Sequence, residues 1–453
     1  MSVNKLSIYI FVLTLLLSCN KDKSVEVNSI FMAKESDLSG ITFSNKLVDR
    51  NDLNIIEYLY YYNGAGVATG DINNDGLDDI FFSGNQTPDQ LYLNKGNLKF
   101  ENITEKAGIK DYKTWSTGVA MDDVNNDGLI DIYVCKVAMN DNNPDDHNLL
   151  YINQGGNTFK EMSNAYGLDF KGFSTHAGFF DYDRDGDLDM YLLNQNIHNV
   201  NSYGTIDKRN LKDTLAGDVF YENKIKENGK FEDVTARAGI YSSPLGYGLG
   251  LSLGDVNNDG WTDIYVGNDF HENDYLYLNN GDKTFKESIS SAVTHTTQFS
   301  MGVDMADMNN DGWLDIFTTD MMPFDPAVVL VSAGEDSDQI KQIKKEFGFL
   351  PQTARNHFQI NQKTGTFTDI ALFTRTFATD WSWSVLLQDF DNDTQNDIFI
   401  TNGIVKRPNN LDYINFLNEL DNKNPKANPD RTKKLIENMP SEPLKNVFFR
   451  NTG

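Results

Sequence analysis

Cysteine is almost absent from this chain, which has 2 cysteines among its 453 residues. A scaffold held together by many disulfides is therefore excluded. Positive charge is also scarce, because 39 lysines and arginines stand against 66 aspartates and glutamates, for a formal net charge of −27. Such a surface repels phosphate, so we expect no binding to nucleic acid.

Long apolar runs are missing except at the start, where residues 6–17 follow Lys5. That run is too short for a membrane helix but suits the core of a signal peptide. It ends in Leu-Leu-Ser-Cys at residues 16–19, the pattern of a bacterial lipobox, although a chance cysteine after an ordinary signal peptide is the alternative. We predict a signal peptide over 1–18, lipidation at Cys19, a tether over 19–36, and an outer-membrane lipoprotein whose membrane face is undetermined.

Aspartate, in contrast, is abundant and regularly spaced. The nine-residue pattern Asp-x-(Asp/Asn)-x-Asp-Gly-x-x-Asp begins at residues 71, 123, 181, 255 and 307, and a weaker copy begins at 389. Oxygen ligands at positions 1, 3, 5 and 9, with a backbone carbonyl at position 7, are how a tight loop surrounds a hard cation such as Ca²⁺. The predicted ligands are Asp71, Asn73, Asp75, Leu77, Asp79; Asp123, Asn125, Asp127, Leu129, Asp131; Asp181, Asp183, Asp185, Asp187, Asp189; Asp255, Asn257, Asp259, Trp261, Asp263; Asp307, Asn309, Asp311, Trp313, Asp315; and Asp389, Asp391, Asp393, Gln395, Asp397.

The EF-hand is the obvious rival, but it needs a glutamate at position 12 of its loop. Position 12 here is Phe82, Val134, Leu192, Val266, Thr318 or Ile400. Each loop is instead followed by a short β-branched and aromatic run and preceded by alternating apolar residues, which predicts two strands. The metal loop should therefore be the turn of a β-hairpin.

Each unit also has a second half. A Leu-Tyr-x-Asn strand, as at residues 91–94, 150–153 and 276–279, is followed by a turn and a strand centred on phenylalanine. Four strands per unit of about fifty residues are typical of a β-propeller blade. We predict an all-β propeller over 37–453, with six motif-bearing blades and insertions near 197–215, 327–355 and 411–439. A short helix is expected in the second insertion, and helical parts interrupted by prolines in the third.

The loops and their flanking strands resemble the FG-GAP/VCBS repeat, the blade of the integrin α-subunit head. Asp320-Met321-Met322-Pro323 and the segment 379–384 are similar to bacterial lipoproteins of the ASPIC/UnbV, or cartilage-acidic-protein-like, family. The resemblance covers nearly everything from residue 40 onward. It implies a calcium-loaded propeller, usually of seven blades.

Two loops depart from the consensus. The third has Asp183 where most loops have asparagine, so an extra ligand charge predicts the tightest binding. The sixth has Thr394 in place of the turn glycine, which predicts a distorted or weaker site. We expect about five or six Ca²⁺ ions, one per loop, and the alternative is a set of Asx-rich turns without metal.

Aromatic residues recur eight places before the first aspartate of five loops, at Trp115, Phe173, Tyr247, Phe299 and Trp381. If the inner strands start on a common face, these side chains ring one mouth of the central channel and offer a ligand surface. The alternative is that they wedge between adjacent blades. The three insertions are either further binding elements or decoration.

Catalytic signals are weak, because the six histidines (His147, His176, His198, His271, His295 and His357) share no ligand spacing. We therefore predict a non-catalytic binding or interaction module with a glycan or protein ligand. A calcium-dependent polysaccharide lyase is the alternative, and it would need a basic and aromatic cleft, for example with Lys406 and Arg407.

The chain stops within a unit, before the expected phenylalanine-centred strand. Two expectations follow. Either a seventh blade lies beyond residue 453, or residues 41–44 supply the missing strand and close the ring.

Overall fold

The structure is a computed structural model that describes residues 34–110, 112–139, 143–196, 204–423 and 431–453. The predicted signal peptide and Cys19 lie outside the described residues, as do residues 197–203 of the first insertion. Within the described ranges, we find no helix that combines the length and the apolar character needed to span a bilayer.

The chain folds into six consecutive antiparallel sheets, which we call blades 1 to 6. Blade 1 contains β1 Val67–Gly70, β2 Asp79–Phe82, β3 Gln90–Asn94 and β4 Phe100–Asn102. Blade 2 contains β5 Trp115–Asp122, β6 Asp131–Val137, β7 Leu149–Asn153 and β8 Phe159–Glu161. Blade 3 contains β9 Ser174–Phe180, β10 Asp189–Asn194, β11 Val219–Lys224 and β12 Lys230–Asp233.

The second half of the chain repeats this order with longer connections. Blade 4 contains β13 Gly248–Gly254, β14 Asp263–Asn268, β15 Tyr275–Asn279 and β16 Phe285–Glu287. A short parallel pair, β17 Thr296–Thr297 and β20 Gln352–Thr353, flanks blade 5, which contains β18 Val303–Ala306, β19 Asp315–Thr318, β21 His357–Asn361 and β22 Phe367–Asp369. Blade 6 contains β23 Ser382–Gln388, β24 Asp397–Asn402 and β25 Val447–Phe449. Blades 1 to 5 have four strands each and blade 6 has three among the described residues, so the predicted four-stranded β-propeller blade is confirmed in five of the six.

The blades stack through their faces. The innermost strands β1, β5, β9, β13, β18 and β23 contact one another in that order. A buried apolar cluster fills each of the five junctions between consecutive blades. The junction of blades 1 and 2, for example, packs Phe81 and Leu91 against Val134 and Tyr151. Both faces of an inner blade are thus buried, which explains why the strands after each loop are apolar at nearly every position.

Helices occupy the connections. Four-residue helices lie at α1 Ser36–Ser39, α2 Thr104–Ala107, α3 Ser163–Tyr166, α4 Ile225–Asn228, α5 Thr235–Ala238, α6 Ile289–Ala292 and α9 Ala371–Thr374. The insertions hold the 3₁₀-helix η1 Ile206–Asn210 and the helices α7 Pro326–Val331, α8 Asp338–Glu346, α10 Leu411–Lys423 and α11 Arg431–Asn438. The expected short helix of the second insertion is α8, whose first turn is capped by Ser337. The first and second insertions meet, because the amide of Ile206 donates to the carbonyl of Phe347 at 3.0 Å.

A sixth cluster, which we call the hub, joins distant parts of the chain. It combines Tyr61 of the segment before β1 with Trp115, Trp381 and Ile404 of blades 2 and 6, and with Tyr413 of α10. The hub therefore brings the N-terminal segment and the third insertion to the same end of the inner strands.

Residues 41–44 do not complete blade 6, so that expectation is wrong. Phe43 instead stacks on Phe82 of blade 1, with ring centroids 4.9 Å apart. The Thr42 amide donates to the hydroxyl of Tyr92 at 3.2 Å. A phenylalanine ring laid over Phe82 removes apolar surface of both rings from water, which favours this position for Phe43. Among the described strands, β25 pairs only with β24.

Candidate metal centres and ligand groove

All six loops are hairpin turns, as the spacing predicts, and position 1 organises each of them. Its carboxylate accepts hydrogen bonds from the backbone amides of positions 5 and 6. In the first loop, Asp71 accepts from the amide of Asp75 at 3.0 Å and from the amide of Gly76 at 2.7 Å. The same two bonds recur in the other five loops, between 2.7 and 3.2 Å. The loop thus holds its ligand groups together with its own backbone.

The aspartate at position 9 is the first residue of the second strand and is buried in every blade, with Asp79, Asp131, Asp189, Asp263, Asp315 and Asp397 all at most 1% exposed. One of its oxygens accepts the position 2 amide. The other accepts the amide of the asparagine in the Leu-Tyr-x-Asn strand, as Asp131 does from Val124 at 3.2 Å and from Asn153 at 2.8 Å. Position 9 therefore ties the third strand to the hairpin.

Position 9 is also an unfavourable place for a lone negative charge. Burial first, and the neighbouring carboxylates after it, raise the pKa of Asp131 and Asp263 to about 7 and that of Asp189 to about 8. A divalent cation would stabilise the ionised form of these groups. The donor set fits calcium, because it consists of carboxylate, amide and carbonyl oxygens, the ligands that this hard cation prefers.

Position 4, which the sequence reading overlooked, links neighbouring loops. The side-chain amides of Asn74, Asn126, Asn258 and Asn310 each donate to the position 6 carbonyl of the next loop, at 2.9 to 3.2 Å. In the third loop Arg184 replaces this asparagine, and its guanidinium stacks on Trp261 of the fourth loop at 4.3 Å. The repeated Asn-Asn-Asp-Gly motif was the sequence signal that could have pointed to position 4. We call this chain of contacts the loop belt.

A return contact runs in the opposite direction. The asparagine of the third strand in blades 2 to 6 donates its side-chain amide to the position 2 carbonyl of the preceding loop. The side-chain amide of Asn153, for instance, donates to the backbone carbonyl of Ile72 at 2.8 Å. The Leu-Tyr-x-Asn asparagine is therefore an inter-blade residue as well as a strand marker.

The extra aspartate of the third loop, Asp183, lies beside two other carboxylates and a lysine. Asp181, Asp183 and Asp189 bring carboxylate oxygens within 4.8 Å of one another. The ammonium of Lys283, on the β15–β16 turn of blade 4, forms an ion pair with Asp183. Part of the added negative charge is thus offset by the protein itself.

The sixth loop is not distorted in the way we expected. Thr394 adopts φ +75°, close to the glycines at this position, and its amide still donates to Asp389 at 2.8 Å. The hydrogen bonds of the position 1 carboxylate hold the backbone turn, so the β-branched residue is strained rather than displaced. Arg450 lies over this loop, with its Nε 2.7 Å from Asp391.

A second repeated residue, which the sequence analysis also missed, immediately precedes the third strand of each blade. Its side-chain oxygen accepts a backbone amide at the end of the second strand, at 2.7 to 3.0 Å. The residues are Asp89, Asn148, Asp218, Asp274, Asn356 and Asn446. They close each blade at the end opposite the metal loop.

The five predicted aromatic residues do meet at one end of the blades. Trp115 and Trp381 are buried in the hub, and Phe173 and Phe299 pack against it. Tyr247 is buried as well and contacts Phe270. Their backbones also connect neighbouring blades, since Phe173 bridges to Val137 and Tyr247 to Gln195. These aromatic residues thus lie at one end of the blades and also join neighbouring blades.

Tyrosines of the segment before β1 cover much of this ring. Tyr58 packs edge-on against Trp115, and the Tyr60 hydroxyl donates to the buried Asp269 at 3.1 Å. Burial raises the pKa of Asp269 to about 8. The mouth of the ring is therefore partly closed by the chain itself.

Two adjoining cavities remain open beside these tyrosines. One, of about 730 Å³, is lined by Tyr112, Trp115, Asn85 and Lys136 among others. The other, of about 370 Å³, is lined by Tyr58, Tyr60, Phe173 and Tyr247. Both include Asp52, Leu53 and Met139, so they form one continuous depression, which we call the aromatic groove.

Lys406 and Arg407, the basic pair that we considered for a lyase cleft, do not lie in the aromatic groove. Arg407 is only 2% exposed and pairs with Asp380 at 2.7 Å. The Lys406 ammonium donates to the Met439 carbonyl at 3.3 Å. These side chains fasten the third insertion to blade 6 and do not line the aromatic groove.

Two of the histidines come together beside blade 5. His295 Nε2 lies 3.2 Å from Asp369, and His357 Nε2 lies 2.7 Å from the Thr353 hydroxyl. Arg355 also pairs with Asp369, at 2.6 Å. The guanidinium already supplies the positive charge there, so we interpret the cluster as a structural network. His198 lies outside the described residues, and Cys135 is a buried free thiol between blades 2 and 3.

Comparisons with known proteins agree with this architecture. The FG-GAP-like repeat model matches residues 71–134, 123–192 and 255–318. Cartilage acidic protein 1 of Xenopus tropicalis is 27% identical over 211 residues, 46% of this chain and 29% of that protein. The Homo sapiens protein is 26% identical over 268 residues, 55% of this chain and 38% of that protein. The chain thus spans less than two-fifths of the length of these curated relatives.

Solved structures give partial likenesses. An Agrocybe aegerita lectin that recognises non-reducing terminal N-acetylglucosamine aligns with a TM-score of 0.41 and 14% identity, over 76% of this chain and 77% of that one. The V. cholerae biofilm matrix protein Bap1 aligns with a TM-score of 0.30 and 17% identity, over 58% of this chain and 36% of that one. The chain thus carries FG-GAP-like repeats and is similar to cartilage acidic protein 1 over about half of its length.

Proposed function

We propose that this protein is a calcium-stabilised, non-catalytic binding module of the cell envelope. One observation carries the calcium assignment: in all six loops the position 9 carboxylate is buried beside other carboxylates of the same loop. Buried acids that share a site repel one another unless a cation lies between them. Up to six Ca²⁺ ions would relieve this repulsion and stiffen the hairpins.

Calcium removal tests this assignment. We expect excess chelator to lower the melting temperature, because the ions bind the folded loops and not the unfolded chain. Added calcium should restore it, whereas an equal concentration of sodium salt should not. A melting temperature that responds neither to chelator nor to calcium would contradict the proposal.

The ligand, in our proposal, is a glycan or a peptide that binds in the aromatic groove. Exposed aromatic faces stack on sugar rings, and amide and charged groups beside them fix orientation. The half-buried Tyr112 and the exposed Lys110 offer this combination in the larger cavity. Its volume of about 730 Å³ lies within the range of small-ligand sites.

A glycan array, followed by titration of the hits, tests the groove. We expect Tyr112→Ala to weaken binding by about tenfold or more, a loss of about 1.4 kcal/mol that is typical of one stacked aromatic ring. Phe373→Ala is the matched control, since this ring is 88% exposed and lies outside the groove. Equal losses in both variants would refute the groove, and release of shortened glycan would refute the non-catalytic assignment.

Envelope attachment is proposed from the sequence alone. Lipidation of Cys19 would anchor the tether, so Cys19→Ala should release the protein from the membrane fraction. Mass spectrometry of the N-terminal peptide measures the lipid directly. An unmodified Cys19 in the membrane-bound protein would contradict this part.

A further inference from the structure

We propose that Lys283 and Arg450 set the calcium affinity of the third and sixth loops, by cancelling the charge that an aspartate at position 3 adds. This inference rests on the calcium binding proposed above. It reverses the expectation that the third loop binds most tightly.

Position 3 differs among the loops in one atom. It is asparagine in four loops, at Asn73, Asn125, Asn257 and Asn309, and aspartate in the third and sixth. In both types Oδ1 accepts the position 5 amide, at 3.1 Å for Asn73 and 3.2 Å for Asp183. The remaining atom is a neutral amide nitrogen in asparagine and the charged carboxylate's second oxygen in aspartate.

In the third loop this second oxygen, Asp183 Oδ2, pairs with the Lys283 ammonium. The same ammonium lies 2.8 Å from Glu222 Oε1. The side chains of Asp183 and Glu222 are 3% and 2% exposed, so two buried carboxylates hold this cation. Lys283 belongs to blade 4, and it reaches the loop of blade 3 across the junction.

In the sixth loop a different residue, Arg450, pairs with the second oxygen of the position 3 aspartate. Asp391 Oδ2 lies 2.7 Å from Nε of Arg450, and Nη2 of Arg450 lies 3.0 Å from Asp393 Oδ2. The Asp391 side chain is 4% exposed. Arg450 comes from blade 6 itself, so the two cations approach from different blades.

Both loops with an aspartate at position 3 thus have a half-exposed cation paired with the same oxygen. The fifth loop shows the contrast: Lys363 contacts position 5, at 3.3 Å from Asp311, and position 3 is the neutral Asn309. An aspartate paired in this way presents Oδ1 to the metal much as an asparagine does. Counting the side chains at positions 1, 3, 5 and 9, each of these loops therefore acts as a three-carboxylate site rather than a four-carboxylate site. The side chain at position 7 of the third loop, Asp187, pairs with Lys226 at 3.0 Å.

Calcium titrations of single variants test this inference. Lys283→Met and Arg450→Met should each tighten one site by about tenfold, since the uncancelled carboxylate adds a ligand charge. The double variant Lys283→Met/Asp183→Asn should return that site to its original affinity. Lys212→Met is the matched control: it removes an exposed lysine paired with Asp233, which is not a residue of any loop.

The outcomes separate the two proposals. If the unaltered chain binds calcium but neither variant binds more tightly than Lys212→Met, this inference fails and the calcium assignment stands. An unaltered chain that binds no calcium overturns both. Circular dichroism of each variant checks folding, and Lys283→Gln replaces Lys283→Met if the latter is misfolded.

Discussion

The threonine in the sixth loop allows the cost of one backbone conformation to be measured. Thr394 has φ +75°, whereas the corresponding glycines have φ between +84° and +88°. Its amide donates to Asp389, and its carbonyl accepts from Asn310 at 3.0 Å. Because both contacts are made by the backbone, Thr394→Gly preserves them and removes only the strain.

The magnitude follows from two opposing effects. A non-glycine residue in the left-handed region costs about 1–2 kcal/mol. Glycine loses about 0.5–1 kcal/mol more conformational freedom on folding. Thr394→Gly should therefore stabilise the protein by about 0.5–1 kcal/mol. With an unfolding entropy of about 2.1 cal/mol/K per residue, this raises the melting temperature by only about 1 °C, because the chain is large.

The fifth loop supplies the reverse experiment. Gly312 has φ +84°, and an added Cβ there would meet no atom within 4 Å. Gly312→Thr therefore introduces strain without a clash and should lower the melting temperature by about 1 °C. Scanning calorimetry in calcium measures both variants. If Thr394→Gly is destabilising, or if Gly312→Thr is neutral, the strain argument is wrong.

Three further changes probe separate contacts. Asn258→Ala removes the 2.9 Å hydrogen bond to Gly312 in the loop belt and should cost about 1 kcal/mol in unfolding free energy. Burial raises the pKa of Asp269 to about 8 from about 3.9 in an unfolded chain. The folded state therefore holds this proton more tightly, and its contribution is complete below about pH 4 and lost as pH rises toward 8. Asp269→Asn should remove that dependence, so its stability relative to the unaltered chain should rise between pH 5 and pH 8 in denaturation experiments. Arg209→Met leaves the fully buried Glu272 without its partner and should cost about 3–5 kcal/mol.

Each of these has its own control. Asn258→Gly keeps the positive φ available, so a loss equal to that of Asn258→Ala isolates the hydrogen bond. Adding Glu272→Gln to Arg209→Met should recover most of the stability, and no recovery would mean that packing of the arginine dominates. A flat difference between Asp269→Asn and the unaltered chain from pH 5 to pH 8 would show that Asp269 ionises normally.

The hairpins, the blades and the aspartate-rich loops were predictable because each depends on short sequence spacing. The period of the strands and the positions of the aspartates lie within a dozen residues of one another, so local pattern is sufficient. Thr394 was recognised as unusual for the same reason. Its effect on the loop was overestimated, because the two amides held by Asp389 maintain the turn whatever side chain follows.

Contacts between blades could not be predicted from the sequence. Lys283 reaches Asp183 from the next blade, and no local spacing connects these two residues. Tyr60 likewise lies ahead of the first blade but bonds to Asp269 at the end of blade 4. The tyrosines that cover the five aromatic residues depend on how the segment before β1 crosses the hub, which no local sequence pattern predicts.

The loop belt changes what should be regarded as the repeating unit. A forward contact from position 4 and a return contact from the third-strand asparagine both cross the boundary between two blades, as Asn74 and Asn153 do between the first and second. A blade moved to another propeller would therefore lose these forward and return contacts at each side. The portable module for engineering or for gene duplication is the junction, that is, the third strand of one blade together with the metal loops on both sides of the boundary.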